Sequence, residues 1–73
     1  MIRVADPSRL GDALADLRTI HRLSRRAVAA SVGIHESQYG QYELGHKLPS
    51  VETLLKLLNA HGYDLALIPR EDA

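Results

Sequence analysis

Residues 25–44 read RRAVAASVGIHESQYGQYEL, and the fold turns on them. Val28, Ala29 and Val32 are apolar at spacings that share one helical face. Gly33 follows at once, where a helix ends on a residue of positive φ. A second periodic set, Ile34, Tyr39 and Tyr42, begins without a gap. Two helices joined by so tight a turn cannot lie antiparallel and must cross steeply. Ala29 suits that crossing, because a small side chain lets the second helix approach.

This arrangement is a helix-turn-helix, and the ordered residues around it resemble the Cro/cI repressor family, also called the Xre family. The resemblance is carried by Leu23-Ser24, Val28-Ala29, Val32-Gly33-Ile34, Tyr39, Tyr42-Glu43 and Gly45. Leu48-Pro49-Ser50-Val51-Glu52-Thr53-Leu54-Leu55 fits the "P-S-x-E-T-L" start of that family's fourth helix. The match covers residues 9–62. It implies a mainly α, four-helix, lambda-repressor-like domain that binds double-stranded DNA and regulates transcription.

At 73 residues the chain makes a single domain, 1–73, whose core is small and whose monomer is marginally stable. Without cysteine it has neither a disulfide framework nor a thiolate metal site. No apolar run is long enough to span a membrane. Asp6, Asp12 and Asp16 are unlike a signal peptide. A soluble cytoplasmic protein is expected, and the resemblance implies a bacterial or phage-encoded one that joins the nucleoid when bound.

The formal net charge is zero, which argues mildly against a nucleic-acid partner. Its distribution argues the other way. Residues 18–47 hold Arg18, Arg22, Arg25, Arg26 and Lys47 against only Glu36 and Glu43. The carboxylates dominate elsewhere, so positive charge collects on the helix-turn-helix, as a DNA-facing surface requires.

Four helices are predicted, over about residues 7–22, 24–32, 36–44 and 50–61. Asp6-Pro7 starts the first, and Leu10, Ala13, Leu14 and Leu17 give it one apolar face. Ser24 caps the second and Ser50 the fourth. His35 stands where the family has Ser or Thr and is a poor cap by preference. Gly40 lies inside the third helix at a cost of about 1 kcal/mol against Ala. Val51, Leu54, Leu55 and Leu58 form the predicted buried stripe of the fourth, which Gly62 ends.

Residues 63–68 follow, with Leu65 to Ile68 continuously apolar between Gly62 and Pro69. This pattern predicts a short C-terminal β-strand buried on both faces. Its backbone would need a partner, either the alternating Ile2-Arg3-Val4 or the same strand of a second copy. A strand after the fourth helix that builds a dimer resembles the HipB-like antitoxins. Leu65, Leu67 and Ile68 are therefore the candidate dimer residues. Residues 70–73 form a polar tail expected to be mobile.

The positions that match the family's base-reading residues are Glu36, Ser37, Gln38 and Gln41. Gln bonds adenine through N6 and N7, Glu accepts from cytosine N4, and Ser pairs with either kind of group. Arg25 and Arg26 sit in a first helical turn, where cations oppose the helix dipole, so with Lys47 they are the candidate phosphate contacts. Arg18 and Glu43 match an Arg–Glu pair of some repressors, and with Ala29 and Gly33 they are the structural candidates. His21, His35, His46 and His61 share no helical metal spacing, and no nucleophile–base pair or phosphate-cradling loop exists. No cofactor, metal or enzymatic activity is expected. The expected partners are DNA and a second copy, in an antitoxin or a phage-type repressor. A cognate toxin is a further candidate partner. The alternative is a protein-binding module that masks a toxin with little DNA binding of its own.

Overall fold

The computed structural model describes residues 1–71 of the chain. A single 3-10 turn, Pro7–Arg9, leads into α1, Leu10–Ile20, followed by α2, Arg25–Ser31, α3, Glu36–Glu43, and α4, Val51–Ala60. Asp6 accepts from the Ser8 amide at 2.9 Å, so Asp-Pro starts the chain's helical part as its chemistry dictates. Ser24 accepts from Ala27 N–H at 3.0 Å and Ser50 from Thr53 N–H at 3.1 Å. The predicted first helix is thus a 3-10 turn plus a shorter α-helix.

All four helices stop the same way. The N–H two residues past each cap reaches back to a carbonyl of the last turn: Leu23 to Arg18, Ile34 to Ala29, His46 to Gln41 and Tyr63 to Leu58. Three of these ends use glycine, and Gly33 has φ 72° as its position predicts. The fourth uses Arg22 at φ 55°, a left-handed conformation that costs an L side chain about 1–2 kcal/mol. Helix α1 therefore ends two residues before the predicted boundary at Arg22.

The core is Leu14 and Leu17 of α1, Val28 and Ala29 of α2, Tyr39 and Tyr42 of α3, and Leu57 of α4. Helix α3 packs against both α1 and α2, and α2 meets α4. Gly11 sets the distance between α1 and α3. A Cβ there would stand 2.5 Å from the Glu43 carbonyl oxygen and 2.7 Å from that of Tyr42.

Two expectations are corrected. The buried centre of α4 is Leu57, flanked by half-buried Leu54, Leu55 and Leu58, while Val51 is 67% exposed. The run Leu54-Leu55-Lys56-Leu57-Leu58 contains two overlapping sets at helical spacing, and periodicity cannot choose between them. Residues 63–68 form no strand, and no strand exists among the described residues. Leu65, Leu67 and Ile68 are exposed rather than buried on both faces. The segment passes near Ile2–Val4, since Arg3 donates to the Pro69 carbonyl at 3.5 Å, but one side-chain contact is not a backbone ladder. An apolar run becomes a strand only where a second backbone accepts and donates along its length. Asp72 and Ala73, the end of the expected polar tail, lie outside the described residues.

Candidate nucleic-acid interface

Helix α3 has a buried back and a polar front. Tyr39 and Tyr42 are 1% and 6% exposed, while Glu36, Ser37 and Gln38 are exposed and Gln41 is half-buried. The two faces follow from spacing: residues three apart in a helix share a side, and those two rings anchor it.

The start of α3 is built around His35. Its Nδ1 accepts the Ser37 N–H at 3.2 Å, with the Ser37 hydroxyl 2.8 Å from the same nitrogen. A ring nitrogen that accepts an amide proton carries none itself, so imidazole does here what Ser or Thr usually does. The expectation of a poor cap is corrected: a hydrogen bond exists, from a ring rather than a hydroxyl. Gln38 is also engaged, donating from Nε2 to the Tyr42 hydroxyl at 2.8 Å.

The end of α3 is held by a buried carboxylate. Glu43 is reached by Arg18 Nε at 2.7 Å and Nη2 at 3.1 Å, and by Arg25 Nε at 3.1 Å. Arg18 also donates from Nη1 to the Leu23 carbonyl at 3.0 Å. Helices α1, α2 and α3 are thereby joined at one side chain. Burial by itself would raise the Glu43 pKa, but hydrogen bonding from Arg18, Tyr39 and Arg25 outweighs it and holds the carboxyl below its ordinary value. Burial next to that carboxylate pushes the Tyr39 phenol up, so it stays neutral.

The two arginines differ. All three kinds of Arg18 nitrogen are engaged, and its side chain is 21% exposed. Arg25 is 45% exposed and contacts Glu43 through Nε, leaving its terminal nitrogens at the surface. Arg26 borders an open groove with Ala30, Ile34, His35 and Glu36. Lys47 is exposed in the loop after α3. The structure thus brings Arg18, Arg25 and Glu43 together and sets Arg26 beside the start of α3. Ala29 is buried at the α2–α3 crossing and Gly33 forms the turn.

A helix-turn-helix family model matches residues 14–68, well over half of the chain. The chain belongs to the Cro/cI-type, or Xre, helix-turn-helix family. No curated protein and no solved structure matches it. Membership makes it one of the DNA-binding transcription regulators, and the polar front of α3 is the face of the family's second helix-turn-helix element. Among the described residues no helix is long and apolar enough to cross a membrane.

Three features of this region escape a reading of motifs. Gly11 does carry a signal, as an isolated glycine inside a helical pattern often marks close backbone approach. The Tyr42 hydroxyl and the sharing of Glu43 by two arginines carry none, because each contact depends on where side chains end in space.

Proposed function

We propose that this Xre-family protein is a sequence-specific repressor that binds an inverted-repeat operator as a homodimer, in the role of an antitoxin-type autoregulator or a phage-type repressor. One observation carries the reading. Four polar side chains, Glu36, Ser37, Gln38 and Gln41, stand at the outer surface of a helix that Tyr39 and Tyr42 lock into the core, with Gln38 at the edge beside Tyr42. In this reading those four read bases in the major groove, and Arg25, Arg26 and Lys47 hold phosphates.

The dimer reading draws on the surface. Leu65, Leu67 and Ile68 lie exposed at the end of a domain too small to bury much of its own apolar area. A second copy would cover them and space two recognition helices about 34 Å apart, one turn of DNA. A chain cut after Tyr63 keeps the α4 cap and removes this segment. Sedimentation of cut and full chains, with titration of the chain's own promoter region, tests the proposal. A monomeric cut chain with weakened operator binding is expected, and a cut chain that remains dimeric assigns the interface elsewhere.

The reading as a toxin-masking module draws on the neutral net charge and on Glu36, a carboxylate at the start of α3 that DNA phosphates would repel. Salt separates the two. Phosphate neutralisation makes affinity fall steeply with salt, and a protein-masking module shows no such binding to DNA.

A further inference from the structure

We propose that Tyr42, a core residue, is a positioning residue for base recognition: its hydroxyl holds the Gln38 amide so that Gln38 selects adenine. The inference rests on the reading of Gln38 as a base reader and adds to it how the base is chosen.

The argument begins with the ring. Tyr42 is 6% exposed and packs with Leu14, Val28, Ala29, Tyr39 and Leu57. Close packing leaves such a ring little freedom, so its oxygen is a fixed point at the edge of the core. Gln38 lies one helical turn earlier on the same side, and its Nε2 donates to that oxygen at 2.8 Å. Gln38 itself is exposed.

A free glutamine amide rotates and turns over, offering either its carbonyl or its two N–H groups in any direction. The Tyr42 hydroxyl removes that freedom and occupies one of the N–H groups. What remains for a ligand is one N–H donor beside one carbonyl acceptor. Adenine presents N7, an acceptor, beside the N6 amino group, a donor, and fits that pair. Guanine presents two acceptors, N7 and O6, and meets the Gln38 carbonyl with a like group. Without the hydroxyl, Gln38 regains its second donor and its rotation, and the choice between purines weakens.

The test is selection of duplexes from a random-sequence library by the full chain and by its Gln38→Ala and Tyr42→Phe variants. The wild-type chain should enrich adenine at one position of each half-site, by roughly tenfold over guanine, the scale of one good two-bond contact. Gln38→Ala should erase that preference and so identify the position. Tyr42→Phe should relax the same position and no other, with non-specific DNA affinity unchanged. Adenine preference intact in Tyr42→Phe overturns the positioning role while leaving Gln38 a reader. No change in Gln38→Ala at any position overturns the reading of Gln38 and the inference with it. A readout without DNA guards against a Tyr42→Phe chain that folds poorly. In the wild-type chain, magnetisation should pass between the Gln38 side-chain amide protons and the Tyr42 ring, and its absence overturns the proposal.

Discussion

Arg18 and Glu43, far apart in sequence, meet through two parallel hydrogen bonds of 2.7 and 3.1 Å that clamp α1 to the end of α3. The Glu43 side chain is 2% exposed, so its charge is tolerable only while the Arg18 guanidinium faces it, with the more exposed Arg25 as a second, weaker partner. Removing either end of such a pair strands the other.

Glu43→Ala should therefore cost about 2–4 kcal/mol, because the part-buried Arg18 loses its partner. That is a large share of the stability of so small a domain. Arg18→Ala should be of similar severity, leaving the carboxylate buried. Arg25→Ala should cost only about 0–1 kcal/mol, since that side chain is near the surface. Urea unfolding of the three variants checks the order, and equal losses would mean that Arg25 carries as much of the clamp as Arg18.

Binding separates the same residues differently. Arg25→Ala should weaken binding to every DNA sequence and lower the salt slope by about one unit. Gln41→Ala should weaken operator binding by roughly 1–3 kcal/mol and leave non-specific binding nearly intact. Fluorescence titrations at several salt concentrations measure both. A salt slope unmoved by Arg25→Ala would leave that residue a purely structural partner of Glu43.

Stability should decline with acidity in two stages. His61 stacks on His21 with ring centroids 6.3 Å apart, and its Nε2 is buried with no hydrogen-bond partner among the described residues. Burial, with the charge of His21 second, pushes its pKa below the ordinary 6.5. The unfolded chain then takes up the proton first, so this stability is complete above about pH 6.5 and is lost as pH falls through the lower folded value. Glu43 adds the second stage: its folded pKa lies below the ordinary 4.5, so its contribution is full above that and fades further down. The Tyr63 hydroxyl, 3.1 Å from His21 Nε2, faces the same cluster. Thermal melts from pH 8 to 2 should show both stages. His61→Leu should flatten the first alone, and an unchanged profile in that variant would remove His61 from the account.

The two buried glycines should respond in opposite directions to alanine. At Gly11 the added Cβ meets backbone carbonyl oxygens of α3, which cannot step aside, so α1 must shift and the domain loses about 1–3 kcal/mol. At Gly40 the added Cβ meets nothing within 4 Å, and the gain in helix propensity of up to about 1 kcal/mol remains. Melting temperatures decide the signs. A stable Gly11→Ala chain would show that the α1–α3 approach is not tight.

Local chemistry made much of this protein legible from its sequence. Asp6-Pro7, Ser24, Ser50, Gly33, Gly45 and Gly62 each act on their own backbone neighbours, so the helix starts and three of the four stops could be read directly. The helix-turn-helix was legible because Val28, Ala29, Tyr39 and Tyr42 repeat at a helical period on either side of Gly33. Arg22 was not, since nothing in its side chain announces a left-handed turn. Residues that face one another across helices were legible only through family resemblance, as with Arg18 and Glu43, or without their partner, as with Gly11, which marks a close approach but does not name the α3 backbone.

By itself, then, the sequence determined the four helices, their serine, Asp-Pro and glycine caps and the polar front of α3, because these depend on contacts within a few residues. Tertiary structure alone decided the rest. It chose Leu57 over Val51 as the centre of α4, gave Glu43 two arginines rather than one, and left residues 63–68 without a strand. In each case the deciding quantity is a distance between groups remote in sequence: which apolar face meets α2, how far a guanidinium reaches, and whether a second backbone lies alongside.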